Sequence, residues 1–201
     1  TNILNENLKN YVINEDKIIN FASINSKKIN KNSLFIGVKG KKFDGNLYAK
    51  EALKNGATFA ISNRKYNNNK ILFSHKPLNF LNKISSILRK SLTTNYIAVT
   101  GSAGKTSIKE LTAFCLSKLA KTYYSKRSFN NKFGVPLSIF NTPQSTKFAV
   151  LEVGMDKKGE IDFLSKILRP NLGIITNINY AHSKNFNDIN GIAEAKSEII
   201  N

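Results

Sequence analysis

Apolar positions along this chain follow two periods in turn, and their alternation predicts an α/β protein. Ser33–Val38 (SLFIGV) and Ala57–Ser62 (ATFAIS) are short apolar runs bounded by Gly, Asn and Lys, as buried strands are. Between them Tyr48, Ala49, Ala52 and Leu53 recur at helical spacing and stop at Asn55-Gly56, a helix-ending pair. A polar stretch from Asn63 to Lys70 leads to a short strand, Ile71–Phe73. Phe80, Leu81, Ile84, Ile87 and Leu88 then mark an amphipathic helix running to about Leu92. The segment Ser91-Leu92-Thr93-Thr94-Asn95 is short and polar, and a domain boundary is expected there, with residues 1–95 forming a small mixed α/β unit and 96–201 a second domain.

The second part alternates more regularly. Tyr96–Thr100 reads as a strand and Lys105–Ala120 as a helix with Ile108, Leu111, Cys115 and Leu119 on one face. Phe148–Val153 (FAVLEV) reads as the next strand, Ile161, Leu164, Ile167 and Leu168 as a helical stripe ending before Pro170, and Leu172–Thr176 as a third strand. Strands alternating with helices predict a parallel, doubly wound sheet, which takes its ligands at the carboxyl ends of its strands.

Composition removes several classes. One Cys in 201 residues excludes an internal disulfide scaffold, and no Cys/His cluster has the ligand count of a structural zinc site. No apolar run approaches the roughly 20 residues of a membrane helix, and TNILNENLKN lacks the basic start and apolar stretch of a signal peptide, so the expectation is a cytoplasmic protein without membrane insertion. The net charge of +18 comes from 27 Lys and only 4 Arg, dispersed along the chain beside 28 Asn and 23 Ile. Those are the residues that AT-rich coding supplies in bulk, whereas nucleic-acid recognition leans on clustered Arg. No specific nucleic-acid partner is expected.

The sharpest chemical signal is Thr100-Gly101-Ser102-Ala103-Gly104-Lys105-Thr106-Ser107, between a strand and a helix. Glycines let such a loop curl its amides toward phosphate oxygens, and the helix N-terminus adds its dipole. Lys105 can reach terminal phosphates, and the Thr106 hydroxyl is placed to ligate Mg²⁺. The spacing departs from the common phosphate loop, because Val99 stands five residues before Gly104 and the glycine pair is the shorter Gly101-x-x-Gly104. Glu152 ends the strand FAVLE on the same rim of the sheet, where a carboxylate can hold Mg²⁺. His182 follows the third strand and is expected on that rim too, in a metal role; His75, before Lys76-Pro77, reads as a solvated loop residue.

Together these residues carry a family resemblance. The loop at 100–107, Asn130-Asn131-x-x-Gly134-Val135-Pro136-Leu137, Glu152-Val-Gly154-x-x-x-x-Gly159-Glu160-Ile161, and Ala181-His182 followed by Ala193-x-Ala195-Lys196-x-Glu198-Ile199 resemble, in this order, the Mur ligases. Leu34-Phe35-Ile36-Gly37-Val38-x-Gly40-x-x-x-Asp44-Gly45, then Ala52 and Gly56-Ala57, is similar to that family's uridine-nucleotide domain. The resemblance implies ATP and Mg²⁺ as cofactors, and an amide-forming ligase that adds D-alanyl-D-alanine to UDP-N-acetylmuramoyl-tripeptide through an acyl phosphate, in peptidoglycan precursor synthesis. It implies that Lys105 and its loop neighbours Gly101, Ser102, Ala103, Gly104, Thr106 and Ser107 bind ATP with Asn131. Thr106 and Glu152 would hold one Mg²⁺, His182 would help hold a second, and Lys196 would be a carbamylated lysine supporting it.

The resemblance places uridine contacts at Ser26, Lys27, Asp44 and Gly45. There the chain departs from the family, with Asn25-Ser26-Lys27 for Asp-Ser-Arg and Asp44-Gly45-Asn46 for Asp-Gly-His; Lys27 offers no planar fork. Met155-Asp156 is another departure. A complete member has three domains, so this chain is expected to be an N-terminal fragment whose central domain is incomplete and whose C-terminal domain is absent, inactive by itself and a monomer. Two further readings remain open: a sibling ligase adding a diamino acid to the dipeptide precursor, and a P-loop kinase or GTPase, for which no Asn-Lys-x-Asp guanine signature is present.

Overall fold

In the computed structural model, residues 17–40, 43–126, 129–180 and 185–200 are described. The chain divides into two compact units between Ser85 and Ser86, inside a helix rather than in the polar segment near Asn95. The last turn of that helix belongs with the second unit for a visible reason. Arg89 donates from Nε to the Leu168 carbonyl at 2.7 Å and from Nη2 to that of Arg169 at 2.8 Å, and its guanidinium lies 4.4 Å from the centroid of the Tyr96 ring.

The first unit is built on four parallel strands in the order of the chain: β1 (Phe21–Ser23), β2 (Ser33–Ile36), β3 (Ala57–Ser62) and β4 (Ile71–Phe73). The helix α1 (Ala49–Lys54) ends at Asn55, where the sequence places its stop. Phe35, Ala60 and Ile71 share one face of the sheet with Ala49 and Ala52 of α1. The alternate residues Leu34, Ile36, Phe59, Ile61 and Leu72 are buried too, so both faces are covered, which is why these strands read as continuous apolar runs. The helix α2 spans Pro77–Ser91.

The second unit is a four-stranded parallel sheet of β5 (Asn95–Thr100), β6 (Thr122–Tyr124), β7 (Phe148–Glu152) and β8 (Leu172–Ile175), in the order β6-β7-β5-β8. Its helices are α3 (Lys105–Ser117), α4 (Gly134–Phe140), α5 (Glu160–Leu168) and α6 (Ile189–Ser197). Period-2 alternation sorts the strand residues between two cores. Tyr96, Ala98, Ala149 and Leu151 pack with Val135, Ile139, Ile161, Leu164, Ile192 and Ala195 of α4, α5 and α6. Ile97, Val99 and Val150 pack with Ala113 of α3 and the half-buried Ile108 and Leu116 on the other side. Helices on both faces make the sheet doubly wound, as expected. The chain runs out from β5 to β6, returns to β7, and crosses to β8 on the far side of β5, so the strand order reverses at the carboxyl end of β5, where such sheets open a ligand crevice.

Three differences from the sequence reading stand out. The strands β1 (FAS) and β6 (TYY) are three residues each and, unlike β4 (ILF), carry no unbroken apolar run to mark them. The helices α4 and α6 fall where no element is predicted; Pro136 is the third residue of α4, within the first turn, where a missing N–H costs nothing. The third concerns α3, which ends at Ser117 rather than Ala120: on its apolar face Leu111 and Cys115 are exposed, as is Leu119 just past its end, whereas Lys109 and Ala113 are buried.

Candidate functional site

The phosphate loop leaves β5 at Gly101 and re-enters helix at Gly104. Gly101 has φ +148°, and a Cβ there would lie 1.9 Å from Thr176 Oγ1, so no side chain fits; Gly104 has φ +77° and forms the N-cap of α3. The segment following β8 clamps the outer limb of the loop. Ser102 N donates to the Asn177 carbonyl at 3.0 Å and Ala103 N to Asn177 Oδ1 at 3.0 Å. Thr176 Oγ1 and Asn177 Nδ2 donate to the Ala103 carbonyl at 2.6 and 3.1 Å, and Ser102 Oγ exchanges bonds with the backbone of Asn179 at 2.7 and 2.9 Å.

The amides of Ser102 and Ala103 are therefore engaged within the protein. The first intrahelical bond of α3 runs from Ile108 N to the Gly104 carbonyl, so the helix supplies no partner for the amides of Lys105, Thr106 and Ser107, and these form the anion-facing end. The Lys105 ammonium is folded back on its own loop, donating to the carbonyls of Gly101 at 2.8 Å and Ser102 at 3.4 Å.

Across from this end stands Glu152, the last residue of β7 and 2% exposed. Thr106 Oγ1 donates to its Oε2 at 2.7 Å, and Asn130 Nδ2 donates to its Oε1 at 2.8 Å. The sequence reading assigns Asn131 of the Asn130-Asn131 pair to ATP, and the structure gives the two side chains different neighbours. Asn131 Oδ1 accepts from Phe133 N and Gly134 N and so ties the turn into α4, while Asn130 is the residue on the carboxylate. Asn130 also accepts Gly154 N at its carbonyl, 2.7 Å away.

Lys196 sits in α6 with 2% of its surface exposed, and no hydrogen bond to its Nζ occurs among the described residues. Burial first, and then the charge of Lys105, pulls its ammonium down to about 8, which gives a larger share of neutral, nucleophilic amine near neutral pH than an ordinary lysine has. Glu198, two residues on at the C-cap of α6, accepts Gly159 N at 2.8 Å and Asp162 N at 3.0 Å; it caps the start of α5 and ties the end of α6 to it. His182 lies outside the described residues.

The residue set suits a hard cation. A hydroxyl and a carboxylate meet at the mouth of a phosphate loop, and Mg²⁺ is held by one or two carboxylates together with phosphate oxygens and water. Among the described residues there is no cluster of three or more His, Cys, Asp or Glu that could hold a metal ion.

The residues expected at a uridine site are occupied by the fold of the first unit. Ser26 Oγ donates to Glu51 Oε1 at 2.9 Å. Asp44 Oδ1 accepts from Asn46 N and Asn46 Nδ2 at 3.0 and 2.7 Å, and Oδ2 accepts from Arg64 at 3.2 Å. Those bonds, the Asn46 ones foremost, hold the Asp44 carboxyl below its ordinary 3.8. Gly45 abuts Val38, whose carbonyl would be 2.7 Å from a Cβ. Lys27 is exposed, and its backbone N–H donates to Asn25 Oδ1.

Comparison with known proteins agrees with this geometry. The family model described as "Mur ligase family, catalytic domain" matches residues 18–120, and that described as "Mur ligase middle domain" matches residues 99–201, each just over half of the chain. The chain belongs to the Mur ligase family. Among Mur ligases, it is 35% identical over 191 residues to the UDP-N-acetylmuramoyl-tripeptide--D-alanyl-D-alanine ligase of Bacillus subtilis, covering 93% of this chain and 42% of that protein. The Escherichia coli protein of the same name is 31% identical over 201 residues, 99% of this chain and 43% of its own. Crystal structure I of MurF from Acinetobacter baumannii superposes with a TM-score of 0.86 at 30% identity, over 98% of this chain and 45% of that one. The Thermotoga maritima MurF ligase in complex with ADP gives 0.81 at 33% identity, over 92% and 44%. The chain thus spans less than half the length of the curated relatives it matches. Among the described residues no helix is long and apolar enough to cross a membrane.

Proposed function

We propose that this chain carries the nucleotide-handling part of an ATP-dependent carboxylate–amine ligase that joins D-alanyl-D-alanine to UDP-N-acetylmuramoyl-tripeptide in peptidoglycan precursor synthesis, in the cytoplasm where both nucleotides are found. The observation that carries the reading is the Thr106–Glu152 pair, 2.7 Å apart across the mouth of the phosphate loop. The names of the relatives, each matched over more than nine-tenths of this chain, supply the substrates.

In this reading Lys105 releases the carbonyls of Gly101 and Ser102 and takes the β- and γ-phosphate oxygens, while the open amides of Lys105, Thr106 and Ser107 hold the same phosphates at the start of α3. Thr106 and Glu152 would hold Mg²⁺, with Asn130 fixing the other carboxylate oxygen. The cation would supply charge neutralisation on the phosphoryl group during transfer to the substrate carboxylate. The resulting acyl phosphate is attacked by the amine of the dipeptide, with release of phosphate. Lys196, as a neutral amine, adds CO₂ and loses a proton to become a carbamate, a second oxygen donor near Lys105, joined by His182. Ser26, Lys27, Asp44 and Gly45 frame the uridine end, with Asp44 and Ser26 shaping the pocket through their neighbours.

The test uses the full reading frame that carries this chain, with Mg·ATP and UDP-N-acetylmuramoyl-tripeptide, and reads products by mass spectrometry. A product formed with D-alanyl-D-alanine and lost in Lys105→Ala is the expected result. Extension of the dipeptide precursor by a single amino acid would assign the sibling ligase instead, and no ATP-dependent product would end the reading.

A further inference from the structure

Lys109 is a buried amine for which the proposed reaction has no task. It lies on α3 one turn beyond the phosphate loop, with its side chain fully buried. Its Nζ donates to the Ser125 carbonyl at 2.9 Å, with Glu110 Oε1 3.7 Å away and the Tyr124 ring centroid at 5.9 Å. Removing an ammonium from water costs several kcal/mol before its bonds return part of it, and an apolar side chain of similar volume is often no less stable in such a place. The position is better explained by what the lysine holds.

What it holds is Ser125, itself fully buried just after β6. Ser125 N donates to the Val150 carbonyl at 3.2 Å, and Ser125 Oγ accepts from Glu152 N at 3.3 Å. One residue thus grips β7 on both sides of Leu151, and Lys109 pins it from the helix. Thr106 and Lys109 are three residues apart and share a side of α3. The hydroxyl meets the Glu152 carboxylate directly, and the ammonium reaches the Glu152 backbone through Ser125.

We propose that Lys109 is a positioning residue for the cation: by fixing Ser125 against β7 it sets where the Glu152 carboxylate stands relative to Thr106. The proposal rests on the reading of Thr106 and Glu152 as the cation's ligands. It assigns Lys109 no contact with phosphate, and so separates metal affinity from nucleotide affinity.

Mn²⁺ with ADP is the probe, titrated into the full reading frame that carries this chain, with free Mn²⁺ followed by electron paramagnetic resonance and metal-free ADP binding measured in parallel. In Lys109→Met the Mn²⁺ affinity of the ADP complex falls by about 10- to 100-fold, as for partners that orient a metal ligand, while metal-free ADP binding stays within about twofold. Ser125→Ala shifts Mn²⁺ affinity in the same direction by less. Unchanged Mn²⁺ affinity in Lys109→Met, or an equal loss of metal-dependent and metal-free binding, overturns the proposal. Should Lys109→Met lose its cooperative thermal transition, Ser125→Ala decides, and wild-type Mn²⁺ affinity there overturns it. A wild-type protein that binds ADP without recruiting Mn²⁺ would overturn the cation site itself, and the proposal with it.

Discussion

The two units place polar residues after the carboxyl ends of four parallel strands, yet treat them in opposite ways. In the first, Asp44, Asn46, Asn63, Arg64 and Tyr66 satisfy one another: Asn46 Oδ1 accepts Asn63 N at 2.8 Å, and its carbonyl accepts the Tyr66 hydroxyl at 2.8 Å. In the second, the Lys105 ammonium rests on its own loop, α3 begins with amides that the helix leaves open, and Lys196 is a buried amine drawn down to about 8. A rim closed by its own side chains holds a fold together, whereas a rim with donors in reserve can meet a ligand. Chemistry belongs where polar groups are left unspent by the fold, and that is the second unit.

Breaking the second rim has the largest effect. Glu152→Gln keeps the bond from Asn130 and removes the charge, so kcat in the full reading frame falls by about 10²- to 10³-fold while the thermal midpoint holds; product formation at saturating Mg²⁺ and a melting curve check both halves. Breaking the first rim acts on stability instead. Asn46→Ala strands the amide of Asn63 and loses the Nδ2 bond to Asp44, a cost of about 1–3 kcal/mol read from denaturant unfolding. The smallest effect sharpens the contrast through pH. Because its native partners hold Asp44 below its ordinary 3.8, the stability it adds is present above that value and disappears as pH falls through the native value. Asp44→Asn therefore lies below the native chain by about 1 kcal/mol or less at pH 6. The gap narrows as pH falls below 3.8 and through the lower native value, as paired unfolding curves would show.

Much of this was legible in the chain. Where both faces of a strand are buried, as in β2, β3 and β7, an apolar run suffices, and Gly101, Gly104, Lys105, Thr106 and Glu152 stand where strand and helix ends put them. The rotation of α3 was not legible. Its apolar stripe of Ile108, Leu111, Cys115 and Leu119 lies opposite Thr106 at 100° per residue. Thr106 must face Glu152, so chemistry at the first turn brings Lys109 and Ala113 inward and leaves Leu111 and Leu119 in solvent. That Asn130 is the one on the Glu152 carboxylate was hidden for a related reason: two identical side chains in a row differ only in which one a turn consumes. The strands β1 (FAS) and β6 (TYY) lack the unbroken apolar run that marks β4 (ILF), and α4, with Gly134 and Pro136 in its first turn, carries too few positions for a period to register.

The clamp on the phosphate loop also orders events in time. Ser102 and Ala103 take their partners from residues 73 to 77 positions further along, so the loop cannot acquire its shape from local sequence. A long chain segment must first be closed, and such contacts are among the slow ones in folding. During synthesis the ribosome must extrude Asn179 before the curve at Gly101 has anything to lean on, and until then the nascent chain offers a strand and a helix without a nucleotide site between them.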